Sequence, residues 1–247
     1  MKDKILLISG CSHAAGSEID GTLDSRYNRS KSFGNQFAEK IGYTPINAAI
    51  GGSNNHCISR TVLEWFSKNY NENEMDVKVL VSWTEPTRID FPIPMDHVQY
   101  DEIRHPGADF YSISARNYLK VNIAWKGLND WEKSILKSCH TFMADSPLYF
   151  EILSANNVLQ LQYFFKSLSV DYLMCNSTHL FSQDEHLNFY LDLIDKKHYY
   201  NFNNNNLAFY TKFKQQGYIN EKAVWYHHGE EPHRLYAEEL YNFFTVR

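Results

Sequence analysis

Apolar positions along the chain follow two periods. Leu6, Leu7 and Ile8 form a short continuous run, the pattern of a strand covered on both faces. "TPINAAI" (44–50), "DVKVLVSW" (76–83) and "VDYLMCNS" (170–177) read the same way, and 76–83 is the clearest because it is richest in Val and Leu. Between these runs the period lengthens. Phe33, Phe37 and Ile41 recur on one helical face within 31–42, and Gly42 suits the end of that helix. Residues 53–70 predict a loop turning into a helix, with Ile58, Val62 and either Trp65 or Phe66 inward. Residues 129–168 are helical in pattern, and 230–244 predict a last helix with Leu235, Leu240 and aromatics on one stripe. The stretch 180–222 mixes helix with the polar tract "NFNNNN" (201–206).

Strands alternating with helices predict a parallel sheet. The expected architecture is one α/β domain over 1–247, a three-layer α/β/α sandwich around a central parallel sheet of about five strands. Pro86, Pro92, Pro94 and Pro106 mark an irregular insertion at 84–128, and loops of that length usually cover a site. There is no internal repeat.

Composition narrows the function. With 43% hydrophobic and 21% charged residues in 247, the chain has material for a sizeable core. A net charge of −5 argues against a surface built to neutralise phosphates, so no nucleic-acid partner is expected. The first residues lack the apolar region and cleavage site of a secretory signal, and no run reaches the length of a membrane span. Cys11, Cys57, Cys139 and Cys175 show no CxxC spacing and read as reduced thiols. The expected location is therefore cytoplasmic, with no membrane partner.

Three strand-to-helix loops carry polar groups, and right-handed crossovers bring them to one sheet edge. The first offers Ser12, the second Gly51 and Gly52, the third Thr84, Glu85 and Arg88. Near the other end, "WYHHGEEPH" (225–233) adds His227, His228 and His233. An unactivated serine hydroxyl needs a neighbouring base to act as a nucleophile. Arg88 suits a substrate carboxylate or phosphate, or a structural ion pair within its loop. Cys11, His13, His56 and Cys57 raise a zinc reading, but Cys-x-His and His-Cys are not common zinc spacings, and no metal or cofactor is expected.

Three short blocks resemble the SGNH (GDSL-type) hydrolase superfamily. Its Gly-Asp-Ser-x-x-x-Gly block stands here as Gly10-Cys11-Ser12-His13-Ala14-Ala15-Gly16. Its Asn-x-x-x-x-Gly-Asp block stands as Asn47-Ala48-Ala49-Ile50-Gly51-Gly52-Ser53. Its final His-Pro-x-x-x-x-His-x-x-x-Ala block corresponds to His227 through Ala237, with His228 in place of the proline. The Gly-Cys-Ser-His variant and the aromatic-rich body also resemble uncharacterised tailed-phage members of this group, which would allow association with a virion.

The resemblance implies an SGNH/flavodoxin-like fold and a serine esterase that removes a small acyl group, with an O-acetylated sugar among its substrates. Ser12 would be the nucleophile and His227 the base, with His233 and His228 as rivals for that role. The N–H groups of Ser12 and Gly52 would hold the oxyanion. Two positions depart from the family. Its oxyanion asparagine is matched by Thr84 or Glu85, and the aspartate it places three residues before the base is Val224 here. Glu230, Glu231 or a backbone carbonyl would then have to orient the imidazole. His13, Asn54, Arg88 and His228 are the expected substrate contacts; the expected partner is a small-molecule or glycan ester, and the sequence leaves the oligomeric state open. The competing readings are a catalytically decayed module of this fold with a structural or glycan-binding role, and phosphodiester chemistry using His and Arg.

Overall fold

The computed structural model describes residues 2–92, 110–114, 134, 137–138, 141–142, 144–202 and 204–247. Its strands are β1 (Asp3–Gly10), β2 (Thr44–Asn47), β3 (Met75–Trp83), β4 (Arg88–Pro92), β5 (Phe110–Ser114) and β6 (Asp171–Asn176). The helices used below are α1 (Ser12–Ala15), α2 (Arg26–Lys31), α3 (Phe33–Ile41), α4 (Asn55–Asn69), α5 (Pro147–Ser167), α6 (Asn188–Asp192), α7 (Phe209–Gln215) and α8 (Glu230–Val246).

The four apolar runs form one parallel sheet in the order β2-β1-β3-β6. Alternation across the pleat sends neighbouring residues to opposite faces. Leu7, Val79, Val81, Tyr172 and Met174 pack with Ile58, Val62 and Phe66 of α4 and with Val158, Leu161 and Phe165 of α5. Leu6, Ile8, Leu80, Leu173 and Cys175 pack on the other face with Phe33 and Phe37 of α3, Phe209 and Phe213 of α7, and Tyr236 and Leu240 of α8. The result is the three-layer α/β/α arrangement. Of the two inward candidates on α4, Phe66 is the buried one.

Among the described residues the sheet has four strands rather than about five. A fifth begins and stops: Tyr199 makes a single parallel bridge to Met174, and the Tyr200 N–H donates to the Met174 carbonyl at 2.8 Å. Asn201 then turns into the left-handed region at φ 52°, which breaks the extended run. Most of the expected insertion at 84–128 lies outside the described residues. Within it, β4 and β5 are not irregular but pair as an antiparallel ribbon, with Ile89 opposite Ile113 and Phe91 opposite Tyr111. The start of the expected 129–168 helix is likewise mostly outside them, and α5 covers the remainder.

Because all four sheet strands run parallel, Gly10, Asn47, Trp83 and Asn176 end at the same edge. Ligands of open α/β sheets bind at that edge.

Candidate active site

β1 runs straight into the one-turn helix α1, and Ser12 is its first residue, partly exposed. Two glycines make this turn possible. At Gly10 a Cβ would stand 2.5 Å from the Ala14 Cβ, so only glycine lets α1 fold back on the strand end. Gly16 closes α1 at φ 75°, where a Cβ would come within 2.4 Å of the Asn28 carbonyl. Asn47 braces the turn from β2, donating from Nδ2 to the Ala14 carbonyl at 3.0 Å and accepting the Ala49 N–H at 3.1 Å. The second loop comes up against Ser12: a Cβ on Gly51 would lie 4.0 Å from the Ser12 Cβ. Gly52 is exposed at φ 78°, and its N–H has no acceptor among the described residues.

Glu18, six positions after Ser12, is the residue that sequence reasoning missed. It is 1% exposed and sits at φ 62°, a left-handed conformation that most non-glycine residues avoid. The C-terminal loop surrounds it. Its carboxylate accepts the N–H groups of Val224 and Trp225, each at 2.9 Å, and meets His227 Nδ1 at 2.6 Å. Asn220 Nδ2 donates to its carbonyl at 2.8 Å. With the carboxylate accepting, Nδ1 of His227 carries the proton and Nε2 is left as the basic nitrogen. Glu230 and Glu231 do not take this role. Glu230 pairs with Lys31 and accepts from Tyr27, and Glu231 pairs with Arg234. A signal for Glu18 was present in "AAGSEID": two acids, Glu18 and Asp20, in a small-residue loop just behind the candidate nucleophile.

The three C-terminal histidines separate by their partners. His227 reaches the Ser12 loop, with its ring 5.0 Å from that of His13. His233 does not: it is buried against Phe33 and Phe209, and its Nδ1 accepts the Phe33 N–H at 3.2 Å at the start of α3. His228 is held by the Tyr210 carbonyl, 3.1 Å from its Nε2, and is buried. His13 is buried among Phe209, Tyr210 and His227.

The third loop also departs from expectation. Thr84 is fully buried, its hydroxyl 3.5 Å from that of Thr178 and its backbone N–H and C=O both held by the Asn55 side chain at 2.9 Å. Neither Thr84 nor Glu85 is placed as a free oxyanion donor, since Glu85 is ion-paired with Arg88 at 3.2 Å. Arg88 thus makes the ion pair within its loop, and it also donates to the Ser53 carbonyl at 3.1 Å. Asn54 caps α4, its Oδ1 accepting the Cys57 N–H at 2.7 Å. A cleft of about 450 Å³ opens beside Arg88, lined among others by Asn54, His56, Phe150, Asn156 and Gln160. A larger cleft of about 530 Å³ lies at the opposite edge, where the strands begin, and contains none of these side chains.

Burial holds His227 below the ordinary imidazole value; the Glu18 hydrogen bond and charge oppose this, and the nearby Arg88 charge adds to it. Burial, and then the neighbouring His227, hold His13 well below that value. Burial raises the cost of the Arg88 charge, yet Glu85 keeps the guanidinium above its ordinary value. The site therefore combines a neutral, carboxylate-oriented imidazole with a hydroxyl and a glycine turn. Among the described residues no three His, Cys, Asp or Glu side chains are grouped to hold a metal ion, and His56 of the zinc reading faces outward. Among them too, no helix is long and apolar enough to cross a membrane.

No family model and no curated protein matches the chain. Solved structures similar to it include a psychrotrophic esterase, EstA, from a Pseudoalteromonas species, inhibited by monoethylphosphonate. It is 12% identical, with a TM-score of 0.46 over 98% of this chain and 97% of that one. A carbohydrate esterase whose active site displays catalytic and non-catalytic binding functions is 9% identical, with a TM-score of 0.48 over 100% and 70% of the two chains. A family 2 carbohydrate esterase with a carbohydrate-binding domain, from Corynascus thermopiles (Myceliophthora fergusii), is 12% identical, with a TM-score of 0.45 over 97% and 64%.

Proposed function

We propose that this protein is a carboxylic-ester hydrolase of the SGNH type, with Ser12 as nucleophile, His227 as general base and Glu18 as the acid that orients it. The observation that carries the reading is the 2.6 Å contact between the buried Glu18 carboxylate and His227 Nδ1, made from the loop that begins at Ser12. It would supply from a new position what the family's aspartate does, and so answers one of the two departures that favour a decayed module, the other being the family's oxyanion asparagine, which Thr84 and Glu85 do not replace.

The chemistry runs in two halves. His227 Nε2 takes the proton of Ser12 as its Oγ attacks the acyl carbonyl. Glu18 stabilises the imidazolium that forms. The N–H groups of Ser12 and Gly52 hold the oxyanion, a contribution worth roughly 100- to 1000-fold per donor in comparable sites. The imidazolium returns the proton to the departing alcohol, leaving an acyl group on Ser12. Water then attacks that ester, with His227 again taking the proton, and Ser12 is regenerated with release of the acid.

The test is hydrolysis of p-nitrophenyl acetate by the wild type and by Ser12→Ala, together with labelling by a fluorophosphonate read by mass spectrometry. Turnover lost in the variant and an adduct on the peptide carrying Ser12 support the reading. Equal turnover in both proteins, or no adduct on that peptide, overturns it.

A further inference from the structure

Three sets of donors line the cleft beside Arg88 without an acceptor among the described residues. The Arg88 side chain is 13% exposed, and its plane is fixed from two sides: Nε donates to Glu85 at 3.2 Å and Nη1 to the Ser53 carbonyl at 3.1 Å. Nη2, with two N–H groups, makes no such bond. Asn54 is 3% exposed, and its Oδ1 is taken up by the Cys57 N–H, which leaves Nδ2 on the far side of the amide with no hydrogen bond. The backbone N–H groups of Asn55 and His56 open the first turn of α4 and have no intrahelical acceptor. All four residues line the cleft, against an apolar wall of Pro86, Phe150 and Leu153. This cleft adjoins the proposed reaction centre. A Cβ on Gly51 would lie 4.0 Å from the Ser12 Cβ, and Ser53, two positions on, is the residue whose carbonyl Arg88 holds. The guanidinium charge also acts on His13 and His227.

We propose that Arg88, Asn54 and the first turn of α4 form a subsite for a carboxylate carried by the ester substrate; the inference rests on the hydrolase reading above. The two oxygens of a carboxylate match guanidinium and amide donors held in place beforehand. Among the described residues lining the cleft, Arg88 is the one Lys or Arg. Glu85 offsets part of its charge, and the positive end of the 15-residue α4 adds to it. That balance suits one negative charge rather than a phosphate dianion. A neutral ester of the same shape would leave these donors unpaired beside the apolar wall, and a site built on hydrogen bonds rejects a ligand that lacks the matching group. The carboxylate can belong to the acyl or to the alcohol portion, and two pairs of esters tell these apart.

The experiment measures Ser12-dependent hydrolysis by the full chain. The acyl pair is mono-4-nitrophenyl glutarate and 4-nitrophenyl pentanoate; the alcohol pair is 4-acetoxybenzoate and 4-acetoxybenzamide. The wild type cleaves the charged member of one pair with a kcat/KM at least about tenfold above that of its neutral partner, and this preference falls at least about tenfold in Arg88→Gln and in Asn54→Asp. The pair that shows it assigns the carboxylate to its portion of the ester. Asn54→Asp keeps a capping side chain on α4 and puts a competing carboxylate in the cleft, so it decides the matter if Arg88→Gln does not fold. No preference in either pair, or one that Asn54→Asp retains, overturns the subsite and leaves the hydrolase standing. If no ester is cleaved in a Ser12-dependent way, the hydrolase reading fails, and the subsite is judged by calorimetry with glutarate. Saturable binding to the wild type that weakens at least about tenfold in Asn54→Asp supports the subsite. Binding that this variant leaves unchanged, or no binding, overturns it.

Discussion

Glu18 and His227 lie 209 positions apart in sequence and are joined by a 2.6 Å hydrogen bond. That contact fixes the tautomer and direction of the imidazole, and Glu18 has two further N–H donors to satisfy it. Replacing Glu18 by glutamine leaves a group of similar size but removes the charge that balances the imidazolium, and allows the other tautomer. The expected loss in kcat for p-nitrophenyl acetate is up to about 10,000-fold. Glu18→Ala should in addition lower the thermal midpoint, because the Val224 and Trp225 N–H groups lose their acceptor. Steady-state kinetics beside a melting curve separates the two effects.

The histidines should divide by role. His227→Ala abolishes turnover while the protein stays folded. His233→Ala acts on stability, because it opens a gap between Phe33 and Phe209 and leaves the Phe33 N–H without its acceptor. A cost of about 2–4 kcal/mol is expected. Urea unfolding measures that cost, and activity per folded molecule should stay within a few-fold of the wild type.

Stability should depend on pH in a definite direction. His13, His227, His228 and His233 are each held below the ordinary value of 6.5, first of all by burial. The unfolded chain therefore binds more protons than the folded one between 6.5 and the folded values, and the free energy of unfolding rises with pH across that window. Stability is complete above 6.5 and is lost progressively as pH falls below it. Urea midpoints measured from pH 8 down to pH 5 should show this decline.

The same shift sets the rate profile. As the proposed base, His227 would have to be neutral to accept the Ser12 proton, and its value is depressed, so the acidic limb of kcat/KM is expected below pH 6.5 and the plateau above it. A limb centred above 6.5 would mean that another group is the base.

Gly16→Ala should destabilise the protein by about 2–4 kcal/mol, combining a left-handed backbone with a Cβ aimed at the Asn28 carbonyl. Gly52→Ala meets only the backbone penalty, since no atom lies within 4 Å of its Cβ position, and should cost about 1 kcal/mol. Thermal melts of the two variants test the contrast.

Local features of the sequence carried far into the structure. The apolar runs at 4–9, 76–83 and 170–177 became β1, β3 and β6, because a strand buried on both faces has few other ways to be written. Phe33, Phe37 and Gly42 placed α3 equally well. What depended on contacts across the chain was harder to read. Nothing near Glu18 in the sequence indicates that residues 220–227 will close over it. His227, His228 and His233 share a residue type and a neighbourhood, and only their acceptors and donors in the folded molecule separate them. Thr84 was placed correctly at a strand end, but the Asn55 side chain, which grips its backbone, had no visible signature.

The clamp at Glu18 also sets an order of events during synthesis. A ribosome adds His227 to the chain 209 residues after Glu18. Until residues 220–227 emerge, the Glu18 carboxylate lacks both its backbone donors and its imidazole partner. On the proposed reading, a nascent polypeptide that already carries the Ser12 turn is therefore chemically silent, and competence waits for that later segment to dock.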